Sequence, residues 1–494
     1  MSFPPEYVTE KFLRTFTELF TVRDMEKYLS QSGLHASASE VENFLLSHPL
    51  VFPLEKNLYI TKAGAFTNKY FSIKPTSSEL AQNMFVVGDR CIPFADSESF
   101  SFNFNFYING KKLPQKVGQF DSDAAIDMFV LYGEEYAPQY IASDPANKDL
   151  NLIDSEFTLP NKVNLTGIDI SYLKEKYGFS KNDRLLCNIV DWNKNNINIQ
   201  IIHDQLIDDP FNNGMIGEKR LQWYGDFENL LLDSFNTIGP CSSIEEQLAD
   251  VFFENRKTLC VPYCGSVEEY LNKNAKKVGI EYFGVETRLW NKGEQVPAVG
   301  KWNELQMEFV GKAAAKMNVQ KSSFYMIPDF VFDQYILDMF YSKSEDKNSL
   351  VKKIYPQEIN FSQEELKSIN LHLEERNAIL RRDYNWFADQ TLGNVRQQAL
   401  DLYTKVSFLV YEIDTSNVDL KNYPQQELVI LSQLYSHLTR ILESVASDNS
   451  VEEESEAILL SLDGMRMNFE DIADELRYAV SEQKRNQFKI VKKQ

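Results

Sequence analysis

Histidine and cysteine are scarce in this chain, with five of each in 494 residues. The cysteines, Cys91, Cys187, Cys241, Cys260 and Cys264, are odd in number and widely spread. That excludes the disulfide framework of a small secreted domain and leads us to expect reduced thiols in the cytoplasm. Cys260 and Cys264 form a close pair, but zinc needs about four ligands. No second pair or nearby histidine supplies the rest, so no metal is expected. His35, His48, His203, His372 and His437 do not pair at ligand spacing. No apolar run approaches the ~20 residues that cross a bilayer. The opening residues lack the basic-then-apolar order of a secretory signal, so neither membrane insertion nor export is expected.

Catalytic signatures are missing too. Gly110-Lys111, Gly300-Lys301 and Gly311-Lys312 lack the upstream glycine and following hydroxyl of a phosphate loop. The glycine-rich dinucleotide fingerprint, the paired-histidine zinc motif and the serine nucleophile elbow do not occur. No cofactor is expected. An enzyme would need a site assembled from scattered residues, with His203-Asp204, or His372 with Glu374 or Glu375, as acid–base candidates. Positive charge is also in deficit, 51 Lys and Arg against 72 Asp and Glu, a net charge of -21. An acidic surface repels phosphate backbone and argues against non-specific nucleic-acid binding by the whole protein.

Aromatics are plentiful, with 34 Phe and 24 Tyr, so substantial cores are available. The length implies several domains. At the start, Val8, Phe12, Phe16, Leu19 and Phe20 make a helical apolar stripe. Thr21 with Asp24 caps a second helix carrying Val22, Met25 and Leu29, and Gly33 ends it. Ser37 with Glu40 caps a third, with Val41, Phe44, Leu45 and His48 facing inward and Pro49 as its stop. Leu50–Leu54 and Leu58–Thr61 read as the strands of a hairpin.

Three helices and a hairpin give the order of a winged helix-turn-helix. Residues 6–75 resemble the HARE-type helix-turn-helix family, which includes the N-terminal module of the bacterial RNA polymerase delta subunit. The resemblance covers about 70 residues and implies contact with DNA or with the transcription apparatus. The third helix, however, turns Glu42, Asn43, Leu46 and Ser47 outward, without the Lys or Arg that a recognition helix uses on DNA. These four are the expected partner-facing residues. Cations are confined to the wing and its exit. Lys56, Lys62 and Lys69, followed by Lys74, are suited to phosphate or partner contact without sequence reading.

Residues 76–205 read as a β-rich, barrel-like domain of the SH3 or OB type. Met84–Val87, Cys91–Phe94, Arg184–Asp191 and Ile197–Ile202 are expected strands, and Asn109-Gly110 a hairpin turn. Residues 206–355 read as a mainly helical α+β domain. It contains helices from Ser242 with Glu245, from Ser266 with Glu269, over Asn303–Met317 and over Pro328–Tyr341. Residues 356–494 read as an up-down helix bundle. The expected whole is a multidomain α+β protein with a mainly α-helical C-terminal half. The leading expectation is a non-enzymatic cytoplasmic interaction protein with a protein partner. The alternatives are a DNA-binding regulator gripping phosphate through its wing lysines, and an enzyme with a scattered site. Oligomeric state is not legible.

Overall fold

The computed structural model describes residues 6–54, 57–150, 152, 158–203, 214–303, 327–342, 347–355, 361–383, 390–416, 418–447 and 455–491. The chain divides into two compact units. The first comprises residues 1–282 and 286–295, the second 283–285 and 296–494. The expected boundaries at 75 and 205 both fall inside the first unit.

The first unit begins with helices α1 (Glu6–Thr15), α2 (Val22–Gln31) and α3 (Ala38–Ser47), then strands β1 (Val51–Pro53) and β2 (Tyr59–Thr61). Both expected capping boxes form. Asp24 accepts the Thr21 N–H at 2.8 Å, and Glu40 accepts the Ser37 N–H at 2.7 Å. β1 and β2 pair antiparallel, with Val51 opposite Thr61. Val8, Phe12, Leu13, Phe20, Met25, Leu29, Val41, Leu45, Val51 and Tyr59 make one core. Leu19 departs from the expected stripe. α1 stops at Thr15, so Leu19 stands 54% exposed and Leu13 takes an interior place instead.

After β2 the chain forms α4 (Lys62–Phe66) and β3 (Tyr70–Ile73). β3 pairs antiparallel with Leu185–Asn188, so residues within the 6–75 range join the next sheet. That region comprises α5 (Ser77–Ala81), β4 (Met84–Phe85), β5 (Asn105–Ile108), β6 (Lys111–Lys112), β7 (Gln115–Asp121), α6 (Ser122–Ile126), α7 (Ala137–Ala142), β8 (Lys162–Asp169), α8 (Ser171–Tyr177), β9 (Arg184–Asp191) and β10 (Asn196–Ile202).

The strands make a five-stranded sheet of order β3-β9-β10-β5-β6 and a three-stranded sheet of order β4-β8-β7. Among the described residues neither closes, which corrects the barrel-like expectation. β6 is two exposed lysines, a charged edge that resists further pairing. The Asn109-Gly110 turn joins β5 to β6, with both residues at positive φ. Cys91–Phe94 is a turn rather than a strand, because Pro93 has no N–H to give a ladder.

Helices α9 (Gly214–Thr237), α10 (Ile244–Glu254), α11 (Arg256–Leu259) and α12 (Val267–Glu269) follow, with the hairpin β11 (Val278–Phe283) and β12 (Glu286–Asn291). They pack onto the preceding elements. Phe253 stacks on Phe52 with ring centroids 4.0 Å apart, and Phe252 meets Phe94 edge-on at 4.9 Å. The α10 cap lies one residue beyond expectation, since Ser243 rather than Ser242 caps, through the Glu246 N–H.

The second unit holds α13 (Asp329–Tyr341), α14 (Lys347–Ile354), α15 (Gln363–Asp383), α16 (Gln390–Asp414), α17 (Gln425–Ser447) and α18 (Ser455–Val491). Val331, Tyr335 and Ile336 of α13 join Leu373, Val406, Leu438, Leu462 and Leu476 in one core. α13 is thus interior, as its apolar composition predicts. Most of the helix expected over Asn303–Met317 lies outside the described residues.

Candidate functional site

The structure separates the residues expected to meet a partner. On α3, Asn43, Leu46 and Ser47 are exposed and Glu42 is half-buried. Leu46 is 57% exposed, large for an apolar side chain. Lys56 lies outside the described residues, and Lys69 is half-buried. Lys62 does not reach solvent. It is 5% exposed and its Nζ donates to Glu245 of α10 at 2.8 and 3.1 Å. The expectation that Lys62 grips phosphate is therefore corrected: opening a buried pair would strand both charges. Lys74 is also engaged, 3.5 Å from Glu269. His48 accepts the Leu50 N–H through Nδ1 at 3.2 Å. Burial, with Lys62 and Arg14 nearby, depresses it to about 4.

The charged groups that the fold draws together lie elsewhere, around α5, the turn at 87–94 and the segment Cys264–Glu269. Glu79, fully buried, accepts a bidentate pair from Arg90 at 3.0 and 2.9 Å and the Val86 N–H at 2.7 Å. Arg90 Nε turns the other way, 3.0 Å from Glu268. One arginine is thus clamped between two carboxylates, a fixed fork geometry that lysine would not reproduce.

Asp89, beside it, is 2% exposed and accepts the Leu131 N–H at 2.8 Å. Burial, reinforced by Glu268, pushes its carboxyl up to about 8 against the relief given by the Leu131 N–H and Arg90. Asp89 and Glu268 line a cavity of about 320 Å³ with Thr76, Asp127, Met128 and Asn272. Gly88 is needed beside Asp89. Its φ is +52°, and a Cβ there would lie 2.1 Å from the Met128 carbonyl oxygen.

A second charged group sits one residue along. Glu269 Oε2 accepts the Tyr224 hydroxyl at 2.6 Å and meets Arg184 Nη1, while Oε1 faces Lys74. Burial pushes this carboxyl upward, but Arg184 and Tyr224 outweigh it and hold it at about 2. Arg220, one helical turn before Tyr224 on α9, is 5% exposed, and its Nε is buried without an acceptor. Gly265 lets Tyr224 come close, since a Cβ there would stand 2.3 Å from the ring.

The acid–base candidates meet partners other than those expected. His203 Nδ1 meets Asp183 at 3.0 Å, not Asp204, which lies outside the described residues. His372 Nε2 is 3.3 Å from Asp329. All five cysteines are free thiols. Burial raises Cys260 and Cys264 to about 12, which leaves both thiols protonated at neutral pH. Among the described residues, no group of three or more His, Cys, Asp or Glu is placed to hold a metal ion. None of their helices is long and apolar enough to cross a membrane.

The sequence reading missed Asp89, Arg90, Arg184, Arg220, Glu268 and Glu269 as a group. One signal was present: Asp89-Arg90 interrupts the apolar run from Met84 to Phe94, where charges persist only if paired or functional. Comparison with protein-family models, with curated proteins and with solved structures gives no match for this chain.

Proposed function

We propose that residues 6–75 act as a winged helix-turn-helix module that docks on a protein, in the manner of an adaptor for the transcription apparatus, within the cytoplasm. The observation that carries this reading is the outward face of α3. Leu46 stands exposed near its C-terminal end, beside Asn43 and Ser47, with Glu40 and Glu42 on the same helix and no Lys or Arg among its residues. Lys62, just after the hairpin, is spent on Glu245. An exposed leucine with acidic residues on the same helix suits a partner that offers an apolar pocket rimmed by basic groups. DNA, with its phosphates, would meet repulsion there.

The test places a photo-cross-linker at position 46 of the full chain, with a second at exposed Lys112 as a control. One protein species captured at 46 and not at 112, and lost when Asn43→Arg is added, supports docking. Identical capture at both positions would remove the reading.

A second reading has one observation behind it. The 320 Å³ cavity is of small-molecule size and contains the Asp89 carboxyl, held protonated near neutral pH. Such a group is suited to donate a proton to a bound ligand. Loss of a detected activity in Asp89→Asn, with the fold intact, would favour the enzyme alternative over the adaptor.

A further inference from the structure

We propose that Arg220, with Arg184 and Lys74, forms an anion site for a phosphate group, free or on a small phosphate monoester. Arg220 is 5% exposed, yet it has neither hydrogen bond nor ion pair among the described residues. Arginine stays charged in proteins, so a buried guanidinium without an anion is a standing cost of folding. Every other member of the cluster is engaged. Arg184 Nη1 and Tyr224 Oη meet Glu269 Oε2, and Lys74 meets Oε1. Glu269 therefore has three donors and none of its contacts goes to Arg220.

Two further facts point to a missing anion. Arg184 Nε is itself buried without an acceptor, so the Nε atoms of two guanidinium groups lack oxygen partners. Arg184 opposes Arg220 by like charge, and Tyr224 and Glu269, neither hydrogen-bonded to Arg220, relieve it only in part. The charge count is two arginines and one lysine against a single carboxylate. The excess of two positive charges suits a dianion better than a carboxylate. Arginine forks match phosphate oxygens in a bidentate manner. Lys74, with 21% of its side chain exposed, lies on the solvent side of the cluster.

The test is thermal unfolding of the full chain in inorganic phosphate and, separately, glycerol phosphate, against chloride at matched ionic strength. A ligand that binds only the folded state raises the midpoint in a saturable way. Saturable stabilisation by phosphate, absent in Arg220→Met, is expected. The unliganded variant should unfold at the same temperature as the parent or higher, because an uncompensated charge has been replaced by an apolar chain of similar length. Arg220→Lys, which keeps the charge and loses the fork, should retain the fold with at least a tenfold weaker response. Stabilisation by glycerol phosphate but not by free phosphate would assign the site to monoesters. No saturable shift with either probe, or an undiminished shift in Arg220→Met, would overturn the proposal.

Discussion

Lys62 Nζ lies 2.8 Å from Glu245 Oε1, and the two side chains are only 6% and 12% exposed. One residue comes from the end of the N-terminal hairpin, the other from the first turn of α10, 183 positions later in the sequence. The pair ties the start of the first unit to its last helices. Removing one partner leaves the other charge buried, so Glu245→Ala should destabilise the protein by about 3–5 kcal/mol. The double change Lys62→Met, Glu245→Leu should recover most of that. Urea unfolding of the three variants measures both effects, and equal losses in the single and double variants would show that the pair is not coupled.

Asp89 gives stability a pH dependence of unusual sign. Its carboxyl moves from an ordinary value of 3.8 to about 8 in the fold. Between those values the folded state holds a proton that the unfolded chain has released, so stability falls as pH rises through the window. Asp89→Asn removes that loss while keeping an acceptor for the Leu131 N–H. Relative to the parent, the variant should gain stability steadily from about pH 4 to about pH 8 and level off above. Denaturation at several pH values would detect it, and a flat difference would contradict it.

His48 works in the opposite direction. Its ring is depressed from 6.5 to about 4 by burial, with Lys62 and Arg14 adding repulsion, and its Nδ1 accepts a backbone N–H. Between those values the unfolded chain binds the extra proton, so stability is lost as pH falls from about 6.5 toward 4. His48→Gln should blunt this acid sensitivity. An unchanged slope of stability against pH below 6.5 would show that His48 does not carry it.

Gly265 sets the approach of Tyr224 to Glu269. A methyl at this position meets the ring at 2.3 Å. Gly265→Ala should cost about 1–3 kcal/mol through overpacking and weaken any phosphate response at Arg220 by moving the neighbouring turn. Gly293→Ala meets no side chain but has a φ of +75°, so it reports backbone strain alone. Thermal unfolding of the two variants, with and without phosphate, separates the effects; a phosphate response lost equally in both would argue against a local role for Gly265.

Local elements were legible where one segment carries its own instructions. The capping pairs Thr21 with Asp24 and Ser37 with Glu40, the Asn109-Gly110 turn and the apolar strand run in Arg184–Asp191 all act within a few residues. What stayed hidden depends on distant partners. Nothing near Lys62 announces Glu245, and nothing near Tyr70 announces that β3 pairs with a strand starting at Arg184. The barrel expectation failed for a similar reason, because strand content is local whereas closure depends on which edges meet. Asp89-Arg90 did stand out inside an apolar run. Its partners Glu79 and Glu268 could not be read from spacing, since they approach from elements 11 and 178 residues away.

The docking role of α3 is tested most directly by binding of the full chain to random duplex DNA, followed by fluorescence anisotropy at low and moderate salt. An acidic helix face and a buried Lys62 predict no salt-sensitive binding even at low ionic strength. Binding that weakens steeply as salt rises, and disappears when Lys56 and Lys69 are changed to alanine, would contradict protein docking and assign the wing to phosphate contact.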